Sequence, residues 1–384
     1  MKLSADWLNT DATKAVMGML GDAGYDANFV GGCVRNALLG RPVSDLDVAT
    51  NARPETVMSL AKDAGLRAIP TGMDHGTITV VVDGCPYEIT TYRTDVETDG
   101  RHAVVAFSDS LEHDAERRDF TMNALYAAAD GTVTDPVNGL PDLHAGHVRF
   151  INDPAQRITE DYLRILRFFR FTAWYGNPDL GIDADGLAAC AEHLDGLDGL
   201  AKERITDELV KLLSAPDPAP AMASMAMCGA LMRILPGADV SALAPLVHIQ
   251  GELARLPFVP TRLAALGACD AKGDLRLPNK VTRDYETIRG GATSGISAGE
   301  AGFRFGADMA IEAVMLRAAM IGDMVRPSDL EAAQKGAASP LPVTAADLMP
   351  AYEGPALGER LRQLEAAWIA SGFALSKSDL LALP

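Results

Sequence analysis

The pattern of apolar residues changes near Ile151, and this change restricts the possible folds more than any other feature. Before it, short runs rich in β-branched residues alternate with helical spacing. Two of these runs, at 77–82 and 86–91, flank the pair Asp83-Gly84 and predict a β-hairpin. After it, helical periodicity continues to the end of the chain with almost no strand-like alternation. The sequence therefore predicts an α+β fold, with a mixed head followed by an all-helical remainder.

The length of 384 residues allows several domains, each with its own core. We predict a head at residues 1–150, a helical neck at 151–215, a helical body at 216–335 and a helical tail at 336–384.

Several local elements follow from the same patterns. Helical spacing predicts helices over residues 11–23, 54–64, 153–175 and 202–213. Breaks between the later helices are expected at Pro236, Pro257, Gly290-Gly291 and Pro327, and a linker is expected at 336–342. The polar stretch 93–109 lacks periodicity and is predicted to be a mobile loop.

The composition is that of an ordinary soluble chain, with 48% hydrophobic and 22% charged residues. No apolar run is long enough to span a membrane, and the N-terminal residues lack an apolar secretory segment, so we expect no membrane partner. The five cysteines are scattered without a C-x-x-C pair, which favours the reducing cytoplasm over a disulfide framework or a zinc site. The net charge of −18 argues against tight, unspecific polyanion binding, but only weakly against a specific RNA site.

Residues 29–50, FVGGCVRNALLGRPVSDLDVAT, combine a glycine pair with two carboxylates. Gly31 and Gly32 lie between a short apolar run and a short helix, so their backbone N–H groups can close around a phosphate. Asp45 and Asp47 are two residues apart in a strand-like run and should present their carboxylates on one face. Two aligned carboxylates beside a phosphate cradle suit Mg²⁺ and the transfer of a phosphoryl or nucleotidyl group.

Glu88, in the second strand of the predicted hairpin, is a candidate third carboxylate, although an exposed strand glutamate is at least as consistent with the pattern.

A second polar motif, R-R-D-F-T-M-N-A, occupies residues 117–124. A guanidinium can bind phosphate bidentately, and Arg118 is the better candidate of the two arginines. Asp119 and Asn123 are candidates for binding ribose hydroxyls, which would favour ribose over deoxyribose. A salt-bridged helix start would explain the same residues.

A third motif, E-D-Y-L-R-I-L-R-F-F-R-F, occupies residues 160–171. Asp161 and Arg164 are three residues apart and should project from one face of the predicted helix. A carboxylate can accept from the amino group of cytosine or adenine while a guanidinium donates to the adjacent ring nitrogen. Uracil and guanine present a carbonyl and a ring N–H at those edges, so one Asp/Arg pair would admit C and A and reject U and G.

Arg167 and Arg170 of the same motif are candidates for contacting the triphosphate or for holding the pair in place. A helix held by ion pairs such as Glu160–Arg164 would explain the charges equally well.

In this order, the motifs resemble those of the bacterial tRNA nucleotidyltransferase and poly(A) polymerase family. The family pattern is G-G-x-V-R-D, L-L-G-R, D-x-D-x-A-T, R-R-D-F-T-x-N-A and E-D-x-x-R. Residues 135–143 resemble its hinge, and residues 202–213 resemble a neck motif in which Glu203, Arg204 and Glu208 would brace the base-selecting helix. The chain departs at Asn36, where the family usually has aspartate, and no role is assigned to that position.

The resemblance implies a polymerase-β-like nucleotidyltransferase head that adds CCA to tRNA 3′ ends from CTP and ATP without a nucleic-acid template. It implies two Mg²⁺ ions at Asp45 and Asp47, with Asp161 and Arg164 selecting the base. It also implies that phosphates are held by a set of four residues: Gly31, Gly32, Arg35 and Arg118. The helical remainder would bind the tRNA acceptor arm, in a monomer or a homodimer.

Three alternatives stay open. A poly(A) polymerase has nearly the same head motifs, but the C-terminal KSDLLALP lacks the basic character that would help to track RNA. An enzyme that adds only CC or only A is a second alternative, and the full length of the stretch 93–109 argues against the CC-adding form, in which that loop tends to be shorter. A binding protein without catalysis is disfavoured, because both aspartates and the Asp/Arg pair are present.

Overall fold

A computed structural model describes residues 1–98, 103–267 and 270–384 of the chain. The chain divides into two compact units. The first comprises Met1–Arg204 and Met227–Arg233, and the second comprises Ile205–Ala226 and Ile234–Pro384. The division into four parts, with borders after residues 150, 215 and 335, stays a prediction.

The strands belong to the first unit. They are β1 (Asn28–Val30), β2 (Leu46–Thr50), β3 (Arg67–Gly72), β4 (Thr77–Val82), β5 (Cys85–Thr91), β6 (Arg93–Thr98), β7 (Ala103–Phe107), β8 (Tyr126–Ala128) and β9 (Val133–Thr134). A seven-stranded sheet has the order β3-β4-β5-β2-β1-β8-β9. Within it β2 and β5 run parallel, and the other neighbouring strands are antiparallel. The predicted α+β class is confirmed.

The predicted hairpin is formed by β4 and β5, with Val82 opposite Cys85. Its two turn residues, Asp83 and Gly84, have φ angles of 51° and 81°. A two-residue hairpin turn of this kind needs positive φ at both positions, which Asp-Gly tolerates.

The prediction of a loop over residues 93–109 was wrong, because β6 and β7 pair with each other across most of that stretch. The register shifts between Asp95 and Glu97. Such an irregularity interrupts the two-residue period on which strand prediction depends, so the sequence shows no continuous alternation. Residues 99–102 of the predicted loop lie outside the described residues.

The helices of the first unit include some that pack against this sheet and others that follow it along the chain. They are α1 (Asp11–Gly21), α2 (Gly32–Leu38), α3 (Pro54–Asp63), α4 (Leu111–Glu116), α5 (Gly139–Ala145), α6 (Pro154–Glu160), α7 (Leu163–Tyr175) and α8 (Ala184–Glu192). The predicted helices at 11–23 and 54–64 are confirmed to within two residues. Central strand residues such as Phe29, Val48 and Ile89 are buried, as the core of a covered sheet requires.

The single helix predicted over residues 153–175 was wrong. The chain forms α6 and α7 instead, separated at Asp161, whose φ of −152° and ψ of 104° are extended. The Asp161 carboxylate accepts a hydrogen bond from the backbone N–H of Leu163 at 3.1 Å and so satisfies a free donor in the first turn of α7. Helical spacing continues across the break, which is why periodicity alone did not show it.

Three helices begin or end near the border of the two units: α9 (Lys202–Leu213), α10 (Ala219–Met227) and α11 (Ala230–Ile234). The bounds of α9 agree with the prediction. The second unit continues with α12 (Leu243–Glu252), α13 (Val259–Ala264), α14 (Ala271–Asp274), α15 (Asn279–Thr293), α16 (Ala298–Phe305), α17 (Ala307–Ile321), α18 (Pro327–Ala337), α19 (Ala345–Leu348), α20 (Gly354–Ala370) and α21 (Lys377–Leu381). Among the residues described, no helix is both long enough and apolar enough to cross a membrane.

One glycine-based prediction in the second unit was wrong, since Gly290 and Gly291 lie inside α15 and do not interrupt it. The linker predicted over 336–342 is confirmed from residue 338 onward, between α18 and α19. Gly336 itself lies inside α18, and a Cβ atom there would lie 2.0 Å from the carbonyl oxygen of Gly299 in α16. Gly336 therefore allows two helices to approach closely, a role that its sequence neighbours do not reveal. The predicted breaks at Pro236, Pro257 and Pro327 are confirmed.

Candidate active site

The glycine pair lies between β1 and α2. Gly31 has φ 72° and ψ −122°, a conformation that residues with a Cβ atom rarely adopt. A Cβ atom at this position would lie 3.5 Å from Nη1 of Arg118. The turn therefore lies directly against one of the candidate phosphate-binding residues, as a shared phosphate site would require.

Three candidate carboxylates lie on the neighbouring strands β2 and β5. Asp45 immediately precedes β2, Asp47 is the second residue of that strand, and Glu88 stands opposite Asp47 in the parallel pairing with β5. Asp45 and Glu88 are exposed, whereas Asp47 is partly buried. The sheet thus brings the hairpin glutamate next to the aspartates, which the sequence could only suggest.

The electrostatics of Asp47 reflect this grouping. Burial, followed by the negative charge of Glu88, raises the pKa of Asp47 to about 6, while the nearby Arg118 opposes the shift and Asp45 adds to it. The pKa of Asp47 is thus affected by the other two carboxylates and by Arg118, so these groups lie close enough to interact electrostatically.

The fit to Mg²⁺ can be judged from this donor set. In the described part of the chain, no group of three or more His, Cys, Asp or Glu side chains is arranged to hold a metal ion. Mg²⁺ is usually bound by one or two carboxylates together with water and substrate phosphates, rather than by a cage of protein ligands. Asp45 and Asp47 supply such a pair of hard oxygen donors, and a cation would relieve the repulsion from Glu88 and Asp45 that adds to the effect of burial on the pKa of Asp47.

Arg118 is held by two residues that sequence reasoning missed, Asp114 and Tyr126. Its Nη2 donates to Asp114 at 3.0 Å and its Nε donates to the Tyr126 hydroxyl at 3.1 Å. Burial opposes ionisation of Asp114, but the guanidiniums of Arg118 and Arg117 outweigh it and lower the pKa to about 2. The i,i+4 spacing of Asp114 and Arg118 was the available sequence signal.

Asp119 and Asn123 form a buried hydrogen-bonded pair. The Asn123 amide donates to Asp119 at 2.9 Å, and Nε of Arg167 donates to the other oxygen of Asp119 at 2.7 Å. Although burial acts against it, Arg167 together with Asn123 holds the pKa of the Asp119 carboxyl well below its usual range. These contacts join the second motif to helix α7 of the third.

Arg35 is buried behind the glycine turn. Its guanidinium donates to Asn36, to the amide oxygen of Asn123 and to the Tyr175 hydroxyl. Burial lowers its pKa, an effect that Tyr175 partly opposes. Direct contact between Arg35 and a phosphate stays a prediction, since the guanidinium is engaged by neutral protein groups.

The two candidate base-selecting residues do not pair with each other through their side chains. Arg164 donates to Glu160, to the carbonyl oxygen of Arg157 at 2.7 Å and to that of Arg117 at 3.0 Å. Asp161 lies outside the helix and accepts from Arg204 at 2.8 Å. The expectation that both project from one helical face was therefore wrong, because the chain breaks between α6 and α7.

Other predictions for this region have mixed outcomes. The contact between Arg204 and Asp161 agrees with a bracing role for the neck motif, while such roles for Glu203 and Glu208 stay predictions. Phe168 of α7 is fully buried and belongs to the core. The guanidinium of Arg170 lies 4.8 Å from the ring centroid of Phe171, in a cation–π contact.

Comparison with known proteins agrees with these motifs. Residues 27–149 match a family model described as "Poly A polymerase head domain", and residues 179–241 match one described as "Probable RNA and SrmB- binding site of polymerase A". The CCA-adding enzyme of Geobacillus thermodenitrificans is 34% identical over 340 residues, which cover 83% of this chain and 80% of that protein. The chain belongs to the tRNA nucleotidyltransferase and poly(A) polymerase family.

Other members of this family give a consistent result. The mitochondrial CCA tRNA nucleotidyltransferase 1 of Homo sapiens is 42% identical over 207 residues, or 54% of this chain. The chain spans about half the length, 48%, of that relative. The crystal structure of the Bacillus stearothermophilus CCA-adding enzyme in complex with CTP has a TM-score of 0.74 and 31% identity, covering 94% of this chain and 92% of that one. These likenesses confirm the nucleotidyltransferase fold of the head.

Proposed function

We propose that this protein adds CCA to the 3′ ends of tRNA, using CTP and ATP and no nucleic-acid template. The observation that carries the proposal is the grouping of Asp45, Asp47 and Glu88 with Arg118 and the Gly31 turn, in a chain that belongs to this family. Two relatives that align over at least four fifths of both chains are CCA-adding enzymes, and this supports the choice of CCA addition.

In the proposed mechanism, the triphosphate lies in the space that Gly31 and Gly32 leave open. Arg118 binds a phosphate there, and Asp114 keeps it charged because the ion pair raises the pKa of the guanidinium despite burial. Two residues would hold Mg²⁺, Asp45 and Asp47, and Glu88 would supply a third carboxylate beside them. When bound, the ions would make the RNA 3′-hydroxyl more acidic and stabilise the charge on the triphosphate and on the departing pyrophosphate.

Ribose recognition is assigned to Asp119 and Asn123. Their buried polar groups already have fixed partners, so the geometry offered to a 2′-hydroxyl would be set before the nucleotide binds. A ribose 2′-hydroxyl would add a hydrogen bond in this geometry that a deoxyribonucleotide cannot form, which is the proposed basis for preferring ribose.

Base selection is assigned to Asp161 and Arg164. Arg167 and Arg170, which lie on α7 together with Arg164, are assigned supporting roles. Both selecting side chains have protein partners in this structure. The Asp161 side chain is still 31% exposed, and its partner Arg204 is 41% exposed, so a base can exchange with that contact at modest cost. Arg164 is more enclosed, and we assign it the donor to the ring nitrogen of C or A.

The decisive experiment compares two RNAs, a tRNA that ends before CCA and an unstructured RNA. Each is incubated with the purified protein, Mg²⁺, CTP and ATP, and product lengths are read on a sequencing gel. A discrete three-nucleotide extension of the tRNA is expected if the protein adds CCA. Asp45→Ala serves as the inactive control.

Polyadenylation is the second candidate, because the head matches a model described for poly(A) polymerase. A long A ladder on both RNAs would establish it and overturn CCA addition. A product that stops after CC, or one that forms only on tRNA ending in CC, would identify a partial activity. No extension of either RNA would overturn the proposed function altogether.

A further inference from the structure

Tyr175, the last residue of α7, lies outside every motif discussed above and contacts the segment after the glycine turn. Its hydroxyl accepts a hydrogen bond from Nη2 of Arg35 at 2.7 Å and donates to the side-chain oxygen of Asn36 at 3.2 Å. Its ring centroid lies 4.1 Å from the Arg35 guanidinium carbon. Tyr175 and Arg35 are 140 residues apart, so only the fold brings them together.

The same end of α7 is held at a second point. Arg41, which follows α2, donates from Nη1 to the carbonyl oxygen of Trp174 at 2.7 Å, and its guanidinium carbon lies 5.0 Å from the Tyr175 ring centroid. The tyrosine ring thus contacts two guanidiniums, each of which stacks on a π-system. Its position is fixed by a stacking contact and a hydrogen bond together.

These contacts complete a closed ring of interactions. Arg35 donates to Asn123, Asn123 donates to Asp119, and Arg167 donates to Asp119. Arg167 and Tyr175 are both on α7, so the helix closes the ring back to Arg35. The ring includes the two residues assigned to the ribose and lies directly behind Gly32, where a Cβ atom would be 3.8 Å from Nη2 of Arg35.

The contacts that hold the two base-selecting side chains lie outside this ring. Arg164 is anchored separately, by Glu160 and by backbone carbonyls of Arg157 and Arg117. Asp161 is anchored by Arg204. Removing a contact of Tyr175 should therefore disturb the sugar and phosphate part of the nucleotide site and leave the discrimination between bases intact.

We infer that Tyr175 is a positioning residue for ribose and triphosphate binding, acting through Arg35 on Asn123 and Asp119. This inference rests on the proposed function. Cooperative hydrogen-bonded networks of buried groups lose more than one contact when a member is removed, so the effect should reach the far side of the ring.

The test uses the full-length protein with Tyr175→Phe, which removes the hydroxyl and keeps the ring. We expect kcat/KM to fall by about tenfold, for CTP and ATP alike, since a hydrogen bond to a charged group is lost. The preference for CTP over dCTP should weaken, whereas the preference for CTP over UTP should stay as in the wild type. Rates are measured well below the unfolding midpoint of each variant, so that a loss of folded protein cannot imitate the effect.

A matched control is available in the second unit. Tyr285 accepts a hydrogen bond from Nη1 of Arg289 at 2.7 Å within α15, so Tyr285→Phe removes the same kind of contact in the second unit. Its kinetic constants should equal those of the wild type. In a double-mutant cycle, the effects of Tyr175→Phe and Arg35→Lys should be non-additive, because both substitutions break the same hydrogen bond between these two side chains.

The outcomes separate the two proposals. A lower melting temperature of Tyr175→Phe with unchanged kinetic constants would overturn the positioning role and leave CCA addition standing. A change in CTP-over-UTP preference with unchanged dCTP rejection would also overturn it. A wild-type protein that extends neither RNA would overturn the proposed function and this inference with it.

Discussion

The partly buried carboxylate of Asp47 should make the folded protein less stable at neutral pH than an Asp47→Asn variant. Its pKa rises from 3.8 to about 6 on folding, through burial and then the charge of Glu88. A carboxyl group with a raised pKa binds protons more tightly in the folded state. Its ionised form therefore disfavours folding at every pH where both states are ionised.

The size of this effect follows from the shift. One pKa unit corresponds to about 1.4 kcal/mol, so a shift of roughly two units sets an upper limit of about 3 kcal/mol. Because Asp47 is only partly buried, solvent screening should reduce the destabilisation to about 1–2 kcal/mol. A domain of about 150–250 residues shifts its melting temperature by about 2–4 °C per kcal/mol, so Asp47→Asn should melt about 2–8 °C higher at pH 7.5.

The stability advantage of Asp47→Asn over the wild type should depend on pH. Above about pH 6 the folded state holds the ionised carboxylate and the destabilisation is complete. Between pH 6 and the unfolded value of 3.8 the folded group takes up its proton first, so the advantage of Asp47→Asn should shrink to about half by pH 5. Melting curves at the two pH values measure this, with Asp74→Asn, at an exposed position, as the control for removal of a surface charge.

Mg²⁺ provides a second readout that needs no activity. Added at millimolar concentration, it should raise the melting temperature of the wild type, because a cation bound to the folded state relieves the carboxylate repulsion. It should not do so in Asp47→Asn, which should also lose nucleotide transfer. The reasoning is refuted if Asp47→Asn melts no higher than the wild type at pH 7.5, or if its advantage is the same at pH 5.

Two further predictions concern the selecting residues and the helix contacts. Asp161→Ala should relax the preference for CTP over UTP. Arg204→Ala removes the 2.8 Å ion pair to Asp161, so it should relax the preference more weakly and change the unfolding free energy by less than about 1 kcal/mol. Single-nucleotide incorporation measures both preferences, and an unchanged preference in Asp161→Ala would contradict the assignment. Gly336→Ala should destabilise the second unit by about 2 kcal/mol or more, because its Cβ would lie 2.0 Å from the carbonyl oxygen of Gly299. In the matched variant Gly290→Ala, the added Cβ would have no atom within 4 Å, so the substitution should be neutral or stabilising by about 0.5–1 kcal/mol. Equal denaturant midpoints for the two variants would show that the close contact at Gly336 is unimportant.

Much of the head could be predicted because its signals are local. The Asp83-Gly84 turn, the bounds of α3 and the neighbouring positions of Asp45 and Asp47 each depend on a few consecutive residues. Turn geometry and strand alternation follow from steric rules that act over that distance. The stretch 93–109 was misjudged for a related reason, since its pairing contains an irregularity that hides the alternation.

By itself, the sequence determined the fold class, the family and the chemical groups available to the site. Only the tertiary structure decided how those groups are engaged: Glu88 opposite Asp47, Asp161 outside the helix and bound to Arg204, and Arg35 turned toward Tyr175. These contacts join residues 41, 43 and 140 positions apart. No local propensity encodes contacts of that separation, because they form only when packing of the sheet and α7 brings distant segments together.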